Sequence, residues 1–148
     1  MKVGFSGTSS GMTDAQRHSL RGLLPLLEAT ELHHGDSVGA DTEAADLAWE
    51  LGMRVVVHPP VDQKARANNP NFHEWREPKT HFARNRHIVD TTDAVVVAPW
   101  SAEKTEGGTW YTHDYAVKVR KDVYIICPDG TVTCGGATWP SSRSAAES

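Results

Sequence analysis

Two loops rich in glycine and hydroxyl residues could bind a phosphate group. One is Gly7-Thr8-Ser9-Ser10-Gly11, and the other ends in Glu106-Gly107-Gly108-Thr109 and leads directly into a helical segment. Glycine lets the backbone approach a ligand, and the free N–H groups and positive dipole end at a helix start favour an anion. Either loop alone could be an ordinary turn, but the two together favour phosphate binding. The predicted contacts are Gly7, Thr8, Ser9, Gly107, Gly108 and Thr109.

A third glycine segment, residues 35–41, could also approach a ligand. Gly35 and Gly39 allow either close packing or close ligand contact. Asp41 falls in the first turn of a predicted helix. It either stabilises the helix N-terminus, by roughly 0.3–1 kcal/mol, or accepts hydrogen bonds from ribose hydroxyls, and its position leaves both roles open.

Arg84 and Asn85 stand in a second helical segment and are predicted to contact the ligand. Arg84 suits a phosphate because a guanidinium group can bind it with two hydrogen bonds. Arg86 and Asp90 are four residues apart, so they share a helix face and are expected to form a surface ion pair of small energetic value.

The eight histidines raise the question of a metal site. They show no HxxxH or zinc-ribbon spacing, and neither cysteine joins them. We therefore expect no bound metal and no cofactor. His34 and His58 fall at or near predicted strand ends, where they could line a pocket. Trp100 and Trp110 flank a polar loop and either pack in the core or stack on a base.

Apolar runs alternate with helical patterns along the chain. The four predicted helices begin near Thr13, Ala40, Thr80 and Gly108, and Thr13 with Gln16 forms a capping box. Residues 62–79 predict a long loop, and loops of this length are often functional lids. The five predicted strands are residues 2–6, 31–34, 53–58, 93–98 and 123–127.

This alternation predicts an α/β, Rossmann-like three-layer sandwich. A mostly parallel, five-stranded sheet in the order 3-2-1-4-5 would carry helices on both faces. Strands 1 and 4 are then neighbours whose connections leave in opposite directions, which is where such sheets bind ligands. One domain is predicted over residues 1–130, followed by a flexible tail over 131–148.

Composition limits the classes of function. With 148 residues, 39% hydrophobic and 23% charged, the chain can form one folded domain. The net charge of -4 disfavours a protein that coats nucleic acid, because phosphate-tracking surfaces need a basic excess. No apolar run is long enough for a membrane helix, and the two cysteines form no disulfide framework, so a cytoplasmic protein is expected.

Over nearly the whole chain, from Lys2 to Pro128, the sequence resembles the SLOG superfamily, which contains the SMF/DprA DNA-processing proteins and the Lonely Guy (LOG) phosphoribohydrolases. Residues 35–51, GDSVGADTEAADLAWEL, resemble an SMF-type helix entry. Residues 84–109 resemble a LOG segment, in which Arg84 takes the place of the catalytic arginine and Gly107-Gly108-Thr109 that of the phosphate loop. The resemblance implies a Rossmann-like nucleotide-binding domain that forms a homo-oligomer.

The catalytic glutamate of LOG enzymes has no counterpart, because Thr112 stands at its position. Threonine supplies no carboxylate to stabilise a positively charged sugar, although Asp41, Glu106 or Asp114 could replace it. We therefore expect a binding protein that senses or sequesters a nucleotide-derived ligand, such as an ADP-ribose-like or cyclic nucleotide signal. The alternative is a LOG-type nucleotide N-glycosidase or phosphoribohydrolase; binding of single-stranded nucleic acid is a third, less favoured possibility.

Overall fold

The computed structural model describes residues 1–134 and 137–139. Its helices are α1 (Asp14–Leu26), α2 (Ala40–Glu50), α3 (His81–Asp90) and α4 (Gly108–Lys118), with a short 3₁₀ helix over Gln63–Ala65. Its strands are β1 (Lys2–Gly7), β2 (Glu31–His34), β3 (Arg54–Val57), β4 (Glu74–Trp75), β5 (Ala94–Ala98), β6 (Asp122–Ile126), β7 (Val132–Cys134) and β8 (Ala137–Trp139).

The strands form one sheet in the order β4-β3-β2-β1-β5-β6-β7-β8. The first six strands in this order are parallel. Strand β7 pairs antiparallel with β6, and β8 pairs antiparallel with β7. The α/β class and the mostly parallel sheet are confirmed. The predicted count of five strands is wrong, since β4, β7 and β8 extend the sheet. The five strands that were predicted do lie in the predicted order, as β3-β2-β1-β5-β6.

Helices cover both faces of the sheet. On one face, α1 and α2 contribute side chains such as Leu20 and Ala44 to a buried cluster with Val3 and Phe5 of β1. On the other face, α3 and α4 pack on alternate residues of β5 and β6. Strand β5, Ala-Val-Val-Val-Ala, is buried along its whole length, as expected for a parallel strand covered on both faces.

Helix α1 begins with the capping box that the sequence predicts. The Thr13 hydroxyl accepts from the Gln16 backbone N–H, and the Gln16 side chain accepts from the Thr13 N–H, each at 3.0 Å. The buried Gln16 amide also donates to the backbone carbonyls of Pro99 and Ile126, both at 2.9 Å. One side chain thus fixes α1 against the carboxyl ends of β5 and β6, beside the β5–α4 loop.

Residues 59–79 are more ordered than a free loop. The Asp36 carboxylate accepts from Arg66 Nε at 2.9 Å and from the backbone N–H groups of Asn68 and Asn69 at 3.3 and 3.2 Å. This binds the segment to the loop after β2, and β4 within it pairs with β3. The segment lines no part of the cavity at the carboxyl ends of β1 and β5 described below, so the suggested role as a lid over that cavity finds no support in this conformation.

Two described parts of the predicted tail form strands, β7 and β8. Val132–Cys134 pairs antiparallel with β6, through a turn in which the Cys127 N–H donates to Thr131 O at 2.8 Å. Residues 135, 136 and 140–148 of the predicted tail lie outside the described residues. In the described part of the chain, no helix is long and apolar enough to cross a membrane.

Candidate functional site

A cavity of about 310 Å³ opens at the carboxyl ends of β1 and β5, which are neighbours in the sheet. The β1–α1 loop, the β2–α2 loop, α3 and the β5–α4 loop surround it. Ten of the eleven residues that the sequence predicts for ligand binding line this cavity. They are Gly7, Thr8, Ser9, Gly35, Asp41, Arg84, Asn85, Gly107, Gly108 and Thr109.

The first turn of α4 faces the cavity without a side-chain cap. Gly107 precedes the helix and has φ 129°, a conformation that side-chain-bearing residues rarely adopt. No side chain of the described residues accepts from the first N–H groups. These N–H groups have no partner within the helix either. The cavity therefore meets unpaired donors at the positive end of a helix dipole.

The β1–α1 loop is fixed by its backbone. Thr8 N donates to Ala98 O at 3.0 Å, and Thr8 O accepts from Ala40 N at 3.0 Å, so the loop is tied both to β5 and to α2. The Thr8 hydroxyl accepts from Ser10 N at 3.2 Å and keeps its own hydrogen for donation. Thr8 and Ser9 can therefore both offer hydroxyl donors at the rim of the cavity.

Gly39 is the one predicted site residue outside the cavity. Its φ is 90°, and a Cβ there would lie 2.4 Å from the Ser9 carbonyl oxygen. Gly39 therefore allows the start of α2 to pack against the β1–α1 loop, and it supports the site without lining it. Gly7 has a similar packing role, because a Cβ would lie 2.5 Å from Cβ of Ala40.

Asp41 is buried and shapes the loop before α2. Its Oδ2 accepts from the backbone N–H groups of Gly35 at 3.1 Å and Ser37 at 3.2 Å. Burial raises the pKa of Asp41 to about 6, against the opposing effects of Arg84 and of the backbone N–H groups of Ser37, Gly35 and Gly7. Asp41 thus has a structural role at the start of α2, while it also lines the cavity.

Arg84 brings a buried positive charge to the cavity and is only 2% exposed. Its Nη1 donates to the backbone carbonyls of Gly35 and His58. Its Nε donates to Asn85 Oδ1 at 2.6 Å, and its Nη2 donates to His81 Nδ1 at 3.0 Å. These bonds use two N–H groups at Nη1 and one each at Nε and Nη2. One of the five N–H groups remains for a ligand, where the sequence analysis expected a two-bond contact.

His81 is a cavity-lining residue that the sequence analysis did not name as a candidate site residue. It is the first residue of α3 and lines the cavity beside Gly108. A signal was present, because His81 lies three residues before Arg84 and four before Asn85, on the same helix face. That spacing alone did not show which element the face would meet.

Two carboxylates, Asp41 and Glu106, line the cavity. Thr112 is buried, and its hydroxyl donates at 2.8 Å to a backbone carbonyl of its own helix. Asp114 is exposed to solvent, forms an ion pair on the surface and lies outside the cavity lining. Of the three carboxylates considered as replacements for the LOG glutamate, Asp114 is therefore badly placed.

The two tryptophans near the polar loop differ in exposure. Trp100 is 73% exposed at the rim of the cavity, where its ring is free to stack on a base. Trp110 is buried, and its ring packs edge-on against His113 with centroids 5.1 Å apart. Its Nε1 has no hydrogen-bond partner among the described residues.

His34 and His58 are buried away from the cavity lining, so the suggestion that they line the pocket is wrong. His58 Nε2 lies 2.8 Å from His33 Nδ1, and His33 Nε2 lies 3.0 Å from a Glu31 carboxylate oxygen. Within the described residues, no three His, Cys, Asp or Glu side chains come together in a way that could hold a metal ion.

Arg86 does not pair with Asp90, as the sequence analysis expected. Its Nη1 donates to the Tyr111 hydroxyl at 2.7 Å, while Asp90 accepts from the Tyr115 hydroxyl at 2.8 Å. Both partners come from α4, which packs beside α3. Arg86 is exposed and lines no part of the cavity.

The fold is shared with several solved structures. A molybdenum cofactor binding protein from the phototrophic bacterium Rippkaea orientalis superposes with a TM-score of 0.66 at 19% identity, covering 84% of this chain and 74% of that protein. The structural genomics target TM1055 gives a TM-score of 0.62 at 21% identity, over 82% of this chain and 71% of that one. DprA from Streptococcus pneumoniae gives 0.65 at 20% identity, over 84% of this chain.

These similarities confirm the fold that the SLOG resemblance implies. This chain spans about half of DprA, since the match covers 49% of that protein. The sequence matches no protein-family model and no curated protein.

Proposed function

We propose that this protein binds a nucleotide-derived ligand in the cavity at the carboxyl ends of β1 and β5, with a phosphate at the start of α4. The observation that carries this proposal is the meeting of the uncapped first turn of α4 with the buried Arg84 in one cavity. Such sheets bind ligands at this point of their topology, and unpaired N–H groups at a helix start suit phosphate.

Size and chemistry support the same ligand class. A volume of about 310 Å³ falls at the lower end of the range for small-molecule sites. The lining combines phosphate donors with the exposed ring of Trp100, which suits a base. One structural neighbour is a molybdenum cofactor binding protein. An ADP-ribose-like molecule or a cyclic nucleotide has both a phosphate and a base, and either could be sensed or sequestered here.

Replacement of Gly108 by aspartate tests the phosphate position. A side chain there would point at His81, since a Cβ would lie 2.9 Å from Nε2 of that residue, and its charge would repel a phosphate. We expect ADP-ribose affinity, measured by calorimetry, to fall about tenfold or more. The aspartate would offset the attraction of the helix dipole for a phosphate and would repel the phosphate directly, and together these effects reach about 1.4 kcal/mol.

Gly22→Asp is the matched control for this substitution. It introduces the same charge on the exposed side of α1, where no atom lies within 4 Å of the Cβ position. We expect wild-type affinity. Equal affinities of wild type, Gly108→Asp and Gly22→Asp would contradict the proposed site.

A second candidate function, hydrolysis of a nucleotide N-glycosidic bond, is favoured by one observation. Asp41 and Glu106 both line the cavity, and burial raises the pKa of Asp41 to about 6. Prolonged incubation with nucleoside monophosphates and ADP-ribose, followed by chromatography for free base, tests it. We expect the ligands to be returned unaltered. Release of base that Asp41→Asn or Glu106→Gln abolishes would instead establish hydrolysis.

A further inference from the structure

The side chains of His81 and Asn85 of α3 lie close to Gly108, the first residue of α4. Nε2 of His81 lies 2.9 Å, and Nδ2 of Asn85 lies 3.5 Å, from the position that a Cβ on Gly108 would occupy. His81 and Asn85 are four residues apart, so they project from the same face of α3. All three residues line the cavity.

The bond to Arg84 fixes which nitrogen of His81 carries the hydrogen. A guanidinium group only donates, so His81 Nδ1, 3.0 Å from Arg84 Nη2, must accept. A neutral imidazole then carries its hydrogen on Nε2. Burial and the charge of Arg84 both lower the pKa of His81, which keeps the ring neutral near pH 7. Nε2–H is therefore a donor beside Gly108.

Asn85 is held in a matching orientation. Its side chain is 5% exposed, and its Oδ1 accepts from Arg84 Nε at 2.6 Å, which leaves the Nδ2 amide turned toward Gly108. Nδ2 has no acceptor among the described residues. Asn85 lines the cavity, so this Nδ2 donor beside the uncapped helix start is available to a ligand that accepts hydrogen bonds.

We infer that His81 is a ligand-binding residue, whose Nε2–H donates, together with Nδ2 of Asn85, to a phosphate oxygen of the ligand at the start of α4. This inference rests on the proposed function and adds a residue to it. The alternative is that His81 only positions Arg84 by accepting its Nη2–H.

Two substitutions separate these roles. His81→Asn places an amide oxygen near the Nδ1 position, where it can accept from Arg84, but offers no donor at the Nε2 position. His81→Gln places an amide N–H near the Nε2 position. If His81 contacts the ligand, His81→Asn loses about tenfold or more in ADP-ribose affinity, as expected for a hydrogen bond to a charged group, and His81→Gln stays close to wild type.

Calorimetry with ADP-ribose and with inorganic phosphate measures these affinities, and His18→Asn on the exposed face of α1 is the control. Wild-type affinity of His81→Asn, with loss in His81→Gln, would overturn the inference in favour of a positioning role. The inference fails alone if Gly108→Asp abolishes binding while His81→Asn binds normally. If Gly108→Asp binds normally, the proposed function itself fails.

A measurement on the unsubstituted protein guards against variants that do not fold. Nitrogen-15 NMR of the wild type identifies the hydrogen on Nε2 of His81 and follows it during titration with ADP-ribose. A direct contact shifts this signal and slows its exchange with water. A signal that does not change while ADP-ribose binds would overturn the inference.

Discussion

Arg84→Ala is expected to weaken nucleotide binding by about 2–5 kcal/mol, or roughly thirtyfold to several thousandfold in Kd. Among the described residues, Arg84 is the only arginine or lysine that lines the cavity, and its side chain is buried. Burial lowers the pKa of Arg84, and the negative charges of Asp41 and Asp36 act in the opposite direction. Without Arg84, a phosphate would enter a site whose remaining charges are negative.

Arg86→Ala is the matched control, because it removes the same charge from the same helix. Arg86 is exposed and bonds only to the Tyr111 hydroxyl among the described residues. We expect its loss to leave affinity nearly unchanged, as is usual for an exposed charge. Equal losses in the two variants would indicate a long-range effect of charge, and would contradict a direct contact between Arg84 and the ligand.

Loss of folding must be distinguished from loss of binding in this experiment. Arg84→Ala leaves the backbone carbonyls of Gly35 and His58 without their donor, and the cost of buried unpaired groups is about 1–3 kcal/mol each. Urea unfolding should therefore accompany calorimetry. Arg84→Lys keeps the charge but not the planar fork, so its affinity should lie between those of wild type and Arg84→Ala.

Acid should destabilise the fold through its buried histidines. Burial is the main cause that lowers the pKa of His34 to about 4, and Arg84 and His33 act in the same direction against Asp36. Because the folded-state pKa lies below the unfolded value of 6.5, the unfolded chain binds more protons between these values. Stability is then lost as pH falls from 6.5 to 4, by about 3 kcal/mol from His34.

Other buried groups change the total pH dependence of stability, but they do not change the direction of the contribution from His34. Burial, with the positive neighbours of His58, lowers the pKa of His58 to about 2, which adds to the loss of stability in acid. Asp41 acts in the opposite direction, because a folded-state pKa of about 6, above the ordinary value of 3.8, favours the folded state as pH falls. The contribution of His34 must therefore be measured as a difference between proteins.

His34→Asn supplies that difference. Its side-chain oxygen can still accept from Asp36 N, as His34 Nδ1 does at 3.0 Å, but it does not titrate. Urea unfolding of both proteins between about pH 7.5 and pH 4.5 gives the free energy of unfolding, whose slope reports proton uptake. We expect the wild type to lose about 2–3 kcal/mol more than the variant over this range. If the free energy of unfolding has the same pH dependence in both proteins, His34 is not held neutral by burial in the folded state.

The sequence alone predicted the central topology of this protein. Five apolar runs alternate with helical patterns, and right-handed crossovers leave few arrangements of such a chain. The order β3-β2-β1-β5-β6 follows from these local patterns. The edge strands could not be predicted, because β4 has only two residues in a proline-rich segment and β7 follows glycine in what resembles a tail.

The same reasoning predicted half of the residues that line the cavity. Residues after β1 and β5 come together because the carboxyl ends of neighbouring parallel strands lie at one edge of the sheet. Gly39 is the predicted site residue that does not line the cavity. A glycine required for packing and a glycine that contacts a ligand cannot be distinguished by sequence. Only the tertiary structure assigns it to packing, because a Cβ on Gly39 would lie 2.4 Å from the Ser9 carbonyl oxygen.

The sequence by itself therefore determined the class of fold, the order of its central strands and the edge of the sheet at which the cavity opens. Tertiary structure alone decided the partners of individual side chains: Tyr111 for Arg86, backbone carbonyls for Arg84, and Gly108 for His81. The physical reason is that helical periodicity shows which residues share a face. What that face meets depends on how elements distant in the chain pack together.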